Sequence, residues 1–178
     1  FVAPSGKRLS YRATLATEYG NIEITLLPDL APNHVRSFLA LAQAGYFDGL
    51  VFERTAHEEG QDGKLELIEA GCPLGTGEIG YGSIGYWLKP EFSSEVSHEE
   101  GTVGAFHYQD SDASACKFYI TLCPAPEMDG QYTIFGKVTQ GLDVARQILA
   151  LPVRTDSPEG DRPKKPVVIQ KVTIQSEG

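Results

Sequence analysis

Residues 19–54 read YGNIEITLLPDLAPNHVRSFLALAQAGYFDGLVFER and contain successive patterns of apolar residues. Apolar and polar side chains alternate over residues 22–26, which is typical of a half-buried strand. The period then changes to that of a helix, which Pro32 begins and Gly45 ends. A short apolar run follows and leads directly into Arg54. The stretch therefore predicts a strand, a helix and a second strand, with a positive charge where the second strand ends.

The rest of the chain is dominated by short runs rich in β-branched and aromatic residues. Residues 11–15 alternate as a strand does, and connectors rich in Gly, Pro and Ser separate the later runs. These later runs are LVFER, LELIEAG, TVGAFHY, KFYITL, YTIFGKV and VVIQKVTIQ. A second helix is predicted from Leu142 to Leu151, before Pro152. About eight strands and two helices without βαβ alternation favour an antiparallel barrel or sandwich with helices at its ends.

The length and composition are those of one domain. The chain has 178 residues, of which 41% are hydrophobic, and this suffices for one substantial core. Residues 1–10 lack periodicity and are predicted to be an irregular N-terminal tether, whereas residues 11–178 are predicted to form the single domain. The chain begins with Phe1 rather than Met, which predicts that the N-terminus has been processed or trimmed. The sequence leaves the cellular compartment open.

The chain is acidic. It carries 15 Lys and Arg against 24 Asp and Glu, for a net charge of −9. A field of this sign repels phosphate backbones and anionic lipid head groups. The chain also has no apolar run that approaches the ~20 residues needed to span a bilayer. We therefore expect no nucleic-acid partner and no membrane insertion of this domain.

The sequence contains no complete motif for metal, nucleotide or covalent chemistry. The stretch GTGEIG at residues 75–80 formally matches the dinucleotide fingerprint, but more loop and no helix follows it. The four histidines are scattered, and the three cysteines lack metal-ligand spacing. We therefore expect neither a metal nor a cofactor.

Long blocks of the sequence resemble the cyclophilin family. The stretch at residues 19–54 resembles the opening of a cyclophilin, KFYITLCPAPEMDGQYTIFGKV resembles its central signature, and DRPKKPVVIQKVTI resembles the closing strand of bacterial-type members. The resemblance runs from about Ala13 to Ile174. It implies a mainly β fold, a closed eight-stranded antiparallel barrel capped by two α-helices. A bacterial-type member would work in the bacterial cytoplasm or the cell envelope.

Cyclophilins are peptidyl-prolyl cis-trans isomerases. The resemblance implies a monomer that needs no cofactor and acts on X-Pro bonds of peptides or unfolded protein segments. Rotation about such a bond is slow because the amide has partial double-bond character, with a barrier of ~18–20 kcal/mol. A guanidinium near the prolyl nitrogen stabilises its lone pair as the nitrogen becomes pyramidal. Arg54 stands where the family carries its catalytic arginine.

The resemblance also implies a set of substrate-binding residues. They are Leu67, Glu69, Phe106, His107, Lys117, Tyr119, Met128 and Tyr132. Apolar and aromatic members of this set would wall a small pocket for the proline ring. Phe106 and His107 stand where the family binds the peptide through its backbone, and backbone contacts tolerate changes of side chain.

Several positions depart from the family pattern. Glu69 and Lys117 each stand in place of a glutamine, and Tyr132 stands in place of a histidine. Glu66 takes the position of an aromatic residue. Glu127 stands where cyclosporin-sensitive members carry a tryptophan.

Among these changes, Glu69 bears most directly on activity. An ionised carboxylate only accepts hydrogen bonds, and it would attract Arg54 into an ion pair. Glu66 is expected to add negative charge to the same region. The changes therefore predict weak isomerase activity.

Two rival functions stay open beside the isomerase. The first is a catalytically silent module that binds a protein partner through the groove or through a long loop at residues 55–65. The second is a structural domain of a larger protein. A paired Arg54 and Glu69 with a filled pocket would favour the silent module, and the lack of any groove would favour the structural domain.

Overall fold

The computed structural model describes residues 1–60, 63–76, 84–112, 114–157 and 160–178. Over these ranges the chain forms ten strands and two α-helices, with a 3-10 turn at Pro126–Met128. The strands are β1 (Ser10–Thr17), β2 (Gly20–Leu26), β3 (Phe52–Gly60), β4 (Gly63–Ala70), β5 (Thr102–Ala105), β6 (Phe118–Thr121), β7 (Ile134–Gln140), β8 (Val153–Ser157), β9 (Gly160–Pro163) and β10 (Lys171–Glu177). The helices are α1 (Pro32–Gln43) and α2 (Leu142–Leu149). Residues 77–80 of the glycine-rich stretch lie outside the described residues.

Eight of the described strands form one antiparallel sheet in the order β10-β1-β2-β7-β5-β6-β4-β3. The start of β3, one of the two edge strands, is hydrogen-bonded to the segment that precedes β10, the other edge strand. The Phe52 amide donates to the Val167 carbonyl at 3.0 Å, and the Ile169 amide donates to the Leu50 carbonyl at 2.7 Å. These bonds close the sheet and cover its edges. The predicted closed eight-stranded antiparallel barrel is therefore confirmed.

Helix α1 covers one end of the barrel and is anchored by aromatic packing. It begins at the predicted proline, and Gly45, with φ of 75°, follows its end. The ring of Phe38 lies 5.0 Å from that of Phe47, 5.7 Å from that of Phe118 and 5.5 Å from that of Phe135. These rings join the helix to the barrel core, which explains why the helical face of the sequence is apolar.

Helix α2 is the second predicted helix and contacts β2, β3 and β4. It buries Val144, Ala145 and Ile148. It ends at Leu149, before the predicted end at Leu151. Neither helix in the described ranges combines the length and the apolar character that crossing a membrane requires.

Two β-hairpins lie where no hairpin was predicted. The prediction of a long loop at residues 55–65 is wrong, because β3 and β4 extend through it and pair as far as Gly60 and Gly63; residues 61 and 62 lie outside the described residues. Polar cross-strand contacts replace the apolar alternation that would have revealed these strands. Strands β8 and β9 form the second hairpin. By contrast, the predicted closing strand is regular only from Lys171 onward.

The N-terminal residues contact the domain although most of them lie outside its strands. Val2 pairs with Arg8 in an isolated bridge, and β1 begins at Ser10. The Phe1 ring packs edge-on against Tyr11 at 5.6 Å. The division into a tether and a domain after residue 10 stays a prediction.

Glu53 places a carboxyl group inside the barrel wall. The residue is 1% exposed, and its Oε1 accepts a hydrogen bond from the Cys72 amide at 3.2 Å. Its Oε2 has no hydrogen-bond partner among the described residues. Burial raises the pKa of Glu53 to about 7, although the positive charge of Lys117 opposes the rise. The fold therefore keeps this carboxyl partly protonated at neutral pH.

We predict that Glu53→Gln raises the free energy of unfolding more at about pH 8 than at about pH 5. The folded-state pKa of about 7 lies above the ordinary value of 4.5, so the unfolded chain ionises first as the pH rises. Between these values the wild type loses up to roughly 3 kcal/mol of stability, and the non-ionising glutamine loses none. Urea unfolding at both pH values measures the difference.

Glu59→Gln provides the control for this experiment. Glu59 is exposed on the same strand, so water solvates its carboxylate in both the folded and the unfolded chain. We expect its effect to be small and equal at both pH values. An equal gain from Glu53→Gln at both pH values would contradict the prediction.

Candidate active site

Arg54, Glu69 and Tyr119 lie side by side on neighbouring strands. Arg54 on β3 opposes Glu69 on β4, and Glu69 opposes Tyr119 on β6. Directly opposed residues of antiparallel strands share one face of the sheet. The register shifts between Phe52 and Arg54, and such a bulge re-aims the side chains that follow it. Phe52 is therefore 2% exposed in the core, whereas Arg54 faces the site.

Two carboxylates hold Arg54 in place, and Gly160 lies close to its side chain. Its Nη1 donates to Glu69 Oε1 at 2.7 Å, and its Nη2 lies 3.8 Å from Glu58 Oε1. The Arg54 side chain is 21% exposed, whereas that of Glu69 is 1% exposed. A Cβ on Gly160 of β9 would lie 3.4 Å from Arg54 Nε. The guanidinium is thus ordered by its neighbours and still reaches the surface.

A cavity of about 280 Å³ opens beside the guanidinium. Its lining residues are Arg54, Leu65, Leu67, Glu69, Phe106, Tyr119, Met128 and Tyr132. All of them except Leu65 are predicted site residues. Leu65 shares one face of β4 with Leu67 and Glu69, so the two-residue alternation of LELIE is the signal that could have identified it. The walls are mostly apolar, with one cation at the edge.

Tyr119 is the most deeply buried aromatic residue of this cavity, with 0% exposure. Its hydroxyl lies 2.6 Å from His98 Nε2, and His98 Nδ1 lies 2.7 Å from Asp129 Oδ1. A carboxylate only accepts, so Nδ1–H donates to Asp129 and Nε2 accepts from the tyrosine. Burial raises the pKa of Tyr119 well above its ordinary value, which keeps the hydroxyl proton in place.

Close packing also fixes the Tyr119 ring. A Cβ on Gly104 of β5 would lie 2.1 Å from the Tyr119 hydroxyl oxygen. Only glycine leaves room for that hydroxyl, and Gly104 opposes Tyr119 directly in the sheet. Neither Gly104 nor His98 could be identified as a site residue from the sequence, because only the fold brings them to Tyr119.

His107 supports the cavity without lining it. Its ring stacks on that of Tyr132 with centroids 4.4 Å apart and an interplanar angle of 21°. Its Nδ1 lies 2.7 Å from the Tyr108 carbonyl oxygen, and its Nε2 lies 2.7 Å from the Gln131 carbonyl oxygen. His107 therefore fastens the segment after β5 to the segment that carries Tyr132.

Lys117 likewise lies behind the cavity lining. It is 4% exposed, and its Nζ donates to the Tyr108 hydroxyl at 2.9 Å. The same Nζ lies 4.4 Å from the centroid of the Phe106 ring. Phe106 lines the cavity, so its ring lies between Lys117 and the cavity.

Glu66 does not add its charge to the cavity. It opposes His57 on the other face of β4, and its Oε1 lies 2.7 Å from Lys64 Nζ and 3.3 Å from His57 Nδ1. The expectation that Glu66 adds negative charge to the region of Glu69 is therefore wrong, because successive side chains of a strand point to opposite faces. Within the described ranges, no group of three or more His, Cys, Asp and Glu side chains is arranged to hold a metal ion.

Comparison with known proteins gives a family match over residues 12–174, to cyclophilin type peptidyl-prolyl cis-trans isomerase/CLD. Peptidyl-prolyl cis-trans isomerase-like 2 of Rhizopus delemar is 32% identical over 168 residues, which are 94% of this chain and 29% of that protein. Peptidyl-prolyl cis-trans isomerase ppi1 of Schizosaccharomyces pombe is 34% identical over 157 residues, which are 88% of this chain and 94% of that protein.

A mammalian protein is similar at the same level. Peptidylprolyl isomerase domain and WD repeat-containing protein 1 of Mus musculus is 31% identical over 97% of this chain and 25% of that protein. The chain thus spans less than a third of two of these relatives and nearly all of the third. These fungal and mammalian relatives do not support the expected bacterial-type membership.

Solved structures share the fold. A cyclophilin type peptidyl-prolyl cis-trans isomerase from Cryptosporidium parvum matches with a TM-score of 0.81 at 23% identity, over 96% of this chain and 100% of that chain. Its structure in the presence of the dipeptide Ala-Pro gives a TM-score of 0.80 at 24% identity, over 93% and 99% of the two chains. Identities of this size support the fold alone.

The fold, the family match and the sequence relatives agree with one another. The barrel closes as the resemblance implies, and the family match covers both helices and the whole cavity lining. The relative from Schizosaccharomyces pombe is 34% identical and is matched over 94% of its length. This chain belongs to the cyclophilin-type peptidyl-prolyl cis-trans isomerase family.

Proposed function

We propose that this domain isomerises X-Pro bonds in peptides or unfolded protein segments. The observation that carries the proposal is the position of Arg54 at the edge of an apolar cavity of about 280 Å³. The reaction breaks no bond, so the protein must only hold the proline and lower a rotation barrier of ~18–20 kcal/mol. A cavity and a fixed cation are the parts that this task needs.

The cavity would hold the proline ring and Arg54 would act on its nitrogen. Leu65, Leu67 and Met128 offer apolar walls, and Tyr132 adds an aromatic one. As the C–N bond twists, the prolyl nitrogen gains a lone pair, which the guanidinium stabilises by donating a hydrogen bond. Glu69 holds the guanidinium in position before the substrate arrives, which reduces the cost of ordering it.

The partner that we propose is a proline-containing peptide or protein segment. The Cryptosporidium parvum protein, which shares this fold, has been solved in the presence of Ala-Pro, and we propose a proline ligand for the cavity of this chain. The segment at Phe106 and His107, fastened by its hydrogen bond to Gln131, would meet the peptide backbone. The resemblance to cyclophilins implies a monomer, and we propose that the domain works as one.

A catalytically silent binding module is the second candidate. The Arg54–Glu69 pair at 2.7 Å favours it, because a paired guanidinium has less charge to offer. The open cavity beside Arg54 favours the enzyme instead. A purely structural domain would need no such cavity, so the cavity also disfavours that function.

We predict that Arg54→Ala lowers kcat/KM by about 10²-fold or more, which is the usual loss when a donor to a developing charge is removed. Arg54→Lys should recover little, because an ammonium lacks the planar fork of donors. Prolyl exchange in a tetrapeptide, followed by NMR or by a protease-coupled assay, measures both variants.

Arg12→Ala is the matched control. Arg12 is also a strand arginine paired with carboxylates, those of Glu23 and Glu177, and it lies on β1 away from the cavity. We expect its kcat/KM to equal that of the wild type. If the wild type and Arg54→Ala catalyse equally and both exceed the uncatalysed rate, Arg54 has no part in the mechanism. If both proteins show only the uncatalysed rate, the silent module is favoured.

We further predict weak binding of cyclosporin, and a gain of up to about tenfold in affinity for Glu127→Trp. Glu127 is exposed on the 3-10 turn next to Met128, a lining residue of the cavity. Its carboxylate presents a charge where cyclosporin-sensitive members present an apolar ring with an N–H donor. Calorimetric titration measures the affinity, with Glu127→Ala as the control that removes the charge without adding a ring. Tight binding by the wild type would contradict the prediction.

A further inference from the structure

Two of the departures from the family pattern are neighbours in the barrel. Glu69 and Lys117 both stand in place of glutamines, one on β4 and one directly before β6. Glu69 opposes Tyr119, and Lys117 precedes Tyr119 by two residues on the same face. Lys117 is therefore the diagonal cross-strand neighbour of Glu69, a spacing that long side chains can bridge. Where the family pattern has a pair of neutral amides, this chain has a pair of opposite charges.

The surroundings of Lys117 make its charge depend on such a partner. The residue is 4% exposed, and its Nζ contacts the Tyr108 hydroxyl at 2.9 Å. The Phe106 and Tyr108 ring centroids lie 4.4 Å and 4.9 Å from the same Nζ. Rings and one hydroxyl do not neutralise an ammonium, and an isolated buried charge is costly.

The acidic residues around Lys117 come from the two strands that carry the site. Burial lowers the pKa of Lys117, but the hydrogen bond to Tyr108 and the negative charges of Glu69 and Glu53 outweigh it and raise the pKa overall. Lys117 therefore stays charged. Of these carboxylates, Glu69 is the one that also holds Arg54, at 2.7 Å.

Glu69 is thus one carboxylate between two cations. If it faced Arg54 alone, the ion pair would carry no net charge, and the guanidinium would offer little to a developing lone pair. With Lys117 on its other side, Glu69 is shared between two cations, so it neutralises Arg54 less completely. Of these two cations, Arg54 is the one that lines the described cavity.

We propose that Lys117 is a positioning residue for catalysis, which competes with Arg54 for the charge of Glu69 and thereby keeps the guanidinium available to the substrate. The inference rests on the proposed isomerase function. It explains how this chain tolerates a carboxylate beside its catalytic arginine.

A double-mutant cycle tests the inference. The proteins compared are the wild type, Lys117→Gln, Glu69→Gln and the double variant. Lys117→Gln should lower kcat by about tenfold with little change in KM, because Arg54 then donates mainly to Glu69 and acts on the transition state less. The double variant, in which neither position is charged, should recover kcat to at least the wild-type value.

The recovery distinguishes positioning from packing. If Lys117 only fills space, Lys117→Gln lowers the melting temperature without changing kcat per folded molecule, and Glu69→Gln rescues nothing. If Lys117→Gln fails to fold, refolding of the double variant identifies the uncompensated Glu69 as the cause, whereas a double variant that also fails overturns the inference.

Lys64→Gln is the matched control, since Lys64 pairs with Glu66 at 2.7 Å on the opposite face of β4. We expect it to leave kcat and KM unchanged. If the wild type is active and Lys117→Gln has the same kcat, the inference about Lys117 is overturned and the proposed function stands. Background rates in all proteins, including the double variant, would overturn the proposed function and this inference with it.

Discussion

The hydrogen-bonded ion pair between Arg54 and Glu69 exists at only one register of β3 against β4. A slip of β3 by one residue would turn Arg54 to the other face of the barrel, away from Glu69. The bulge between Phe52 and Arg54 sets this register, and it also allows Phe52 to enter the core. One backbone irregularity therefore serves both the packing of the barrel and the chemistry of its surface. The extra residue at the bulge is Glu53, which is buried as a consequence.

The sequence predicted the elements whose starts, ends and apolar faces are encoded by neighbouring residues. Helix α1 was predictable because a proline begins it, a glycine follows it and its apolar face meets an aromatic core. The β3–β4 hairpin was not, because ion pairs such as that of Lys64 with Glu66 stabilise its exposed part, and polar residues lack an apolar period. The β8–β9 hairpin was not predicted either, because its strand sequences, VRTDS and GDRP, also lack an apolar period. Closure of the barrel was implied by the resemblance, and the bonds that make it join residues far apart in the chain.

The resemblance to the family predicted which positions belong to the site. It did not predict which side chains line the cavity and which lie behind its lining. Met128 and Tyr132 line the cavity as expected. His107 and Lys117 lie one layer behind it, since the strand pattern does not say which polar side chain a neighbouring ring will cover. His98 reaches the site only through its hydrogen bond to Tyr119, and a contact over that distance in sequence leaves no local pattern.

The fit of Tyr119 against Gly104 decides which substitutions this part of the barrel can accept. A Cβ at position 104 would lie 2.1 Å from the Tyr119 hydroxyl oxygen, so a side chain there would force the buried tyrosine ring to move. A ring that moved would lose its hydrogen bond to His98 Nε2. Positions 104, 119 and 98 therefore depend on one another through volume, and a change at one of them limits the residues that the others can hold.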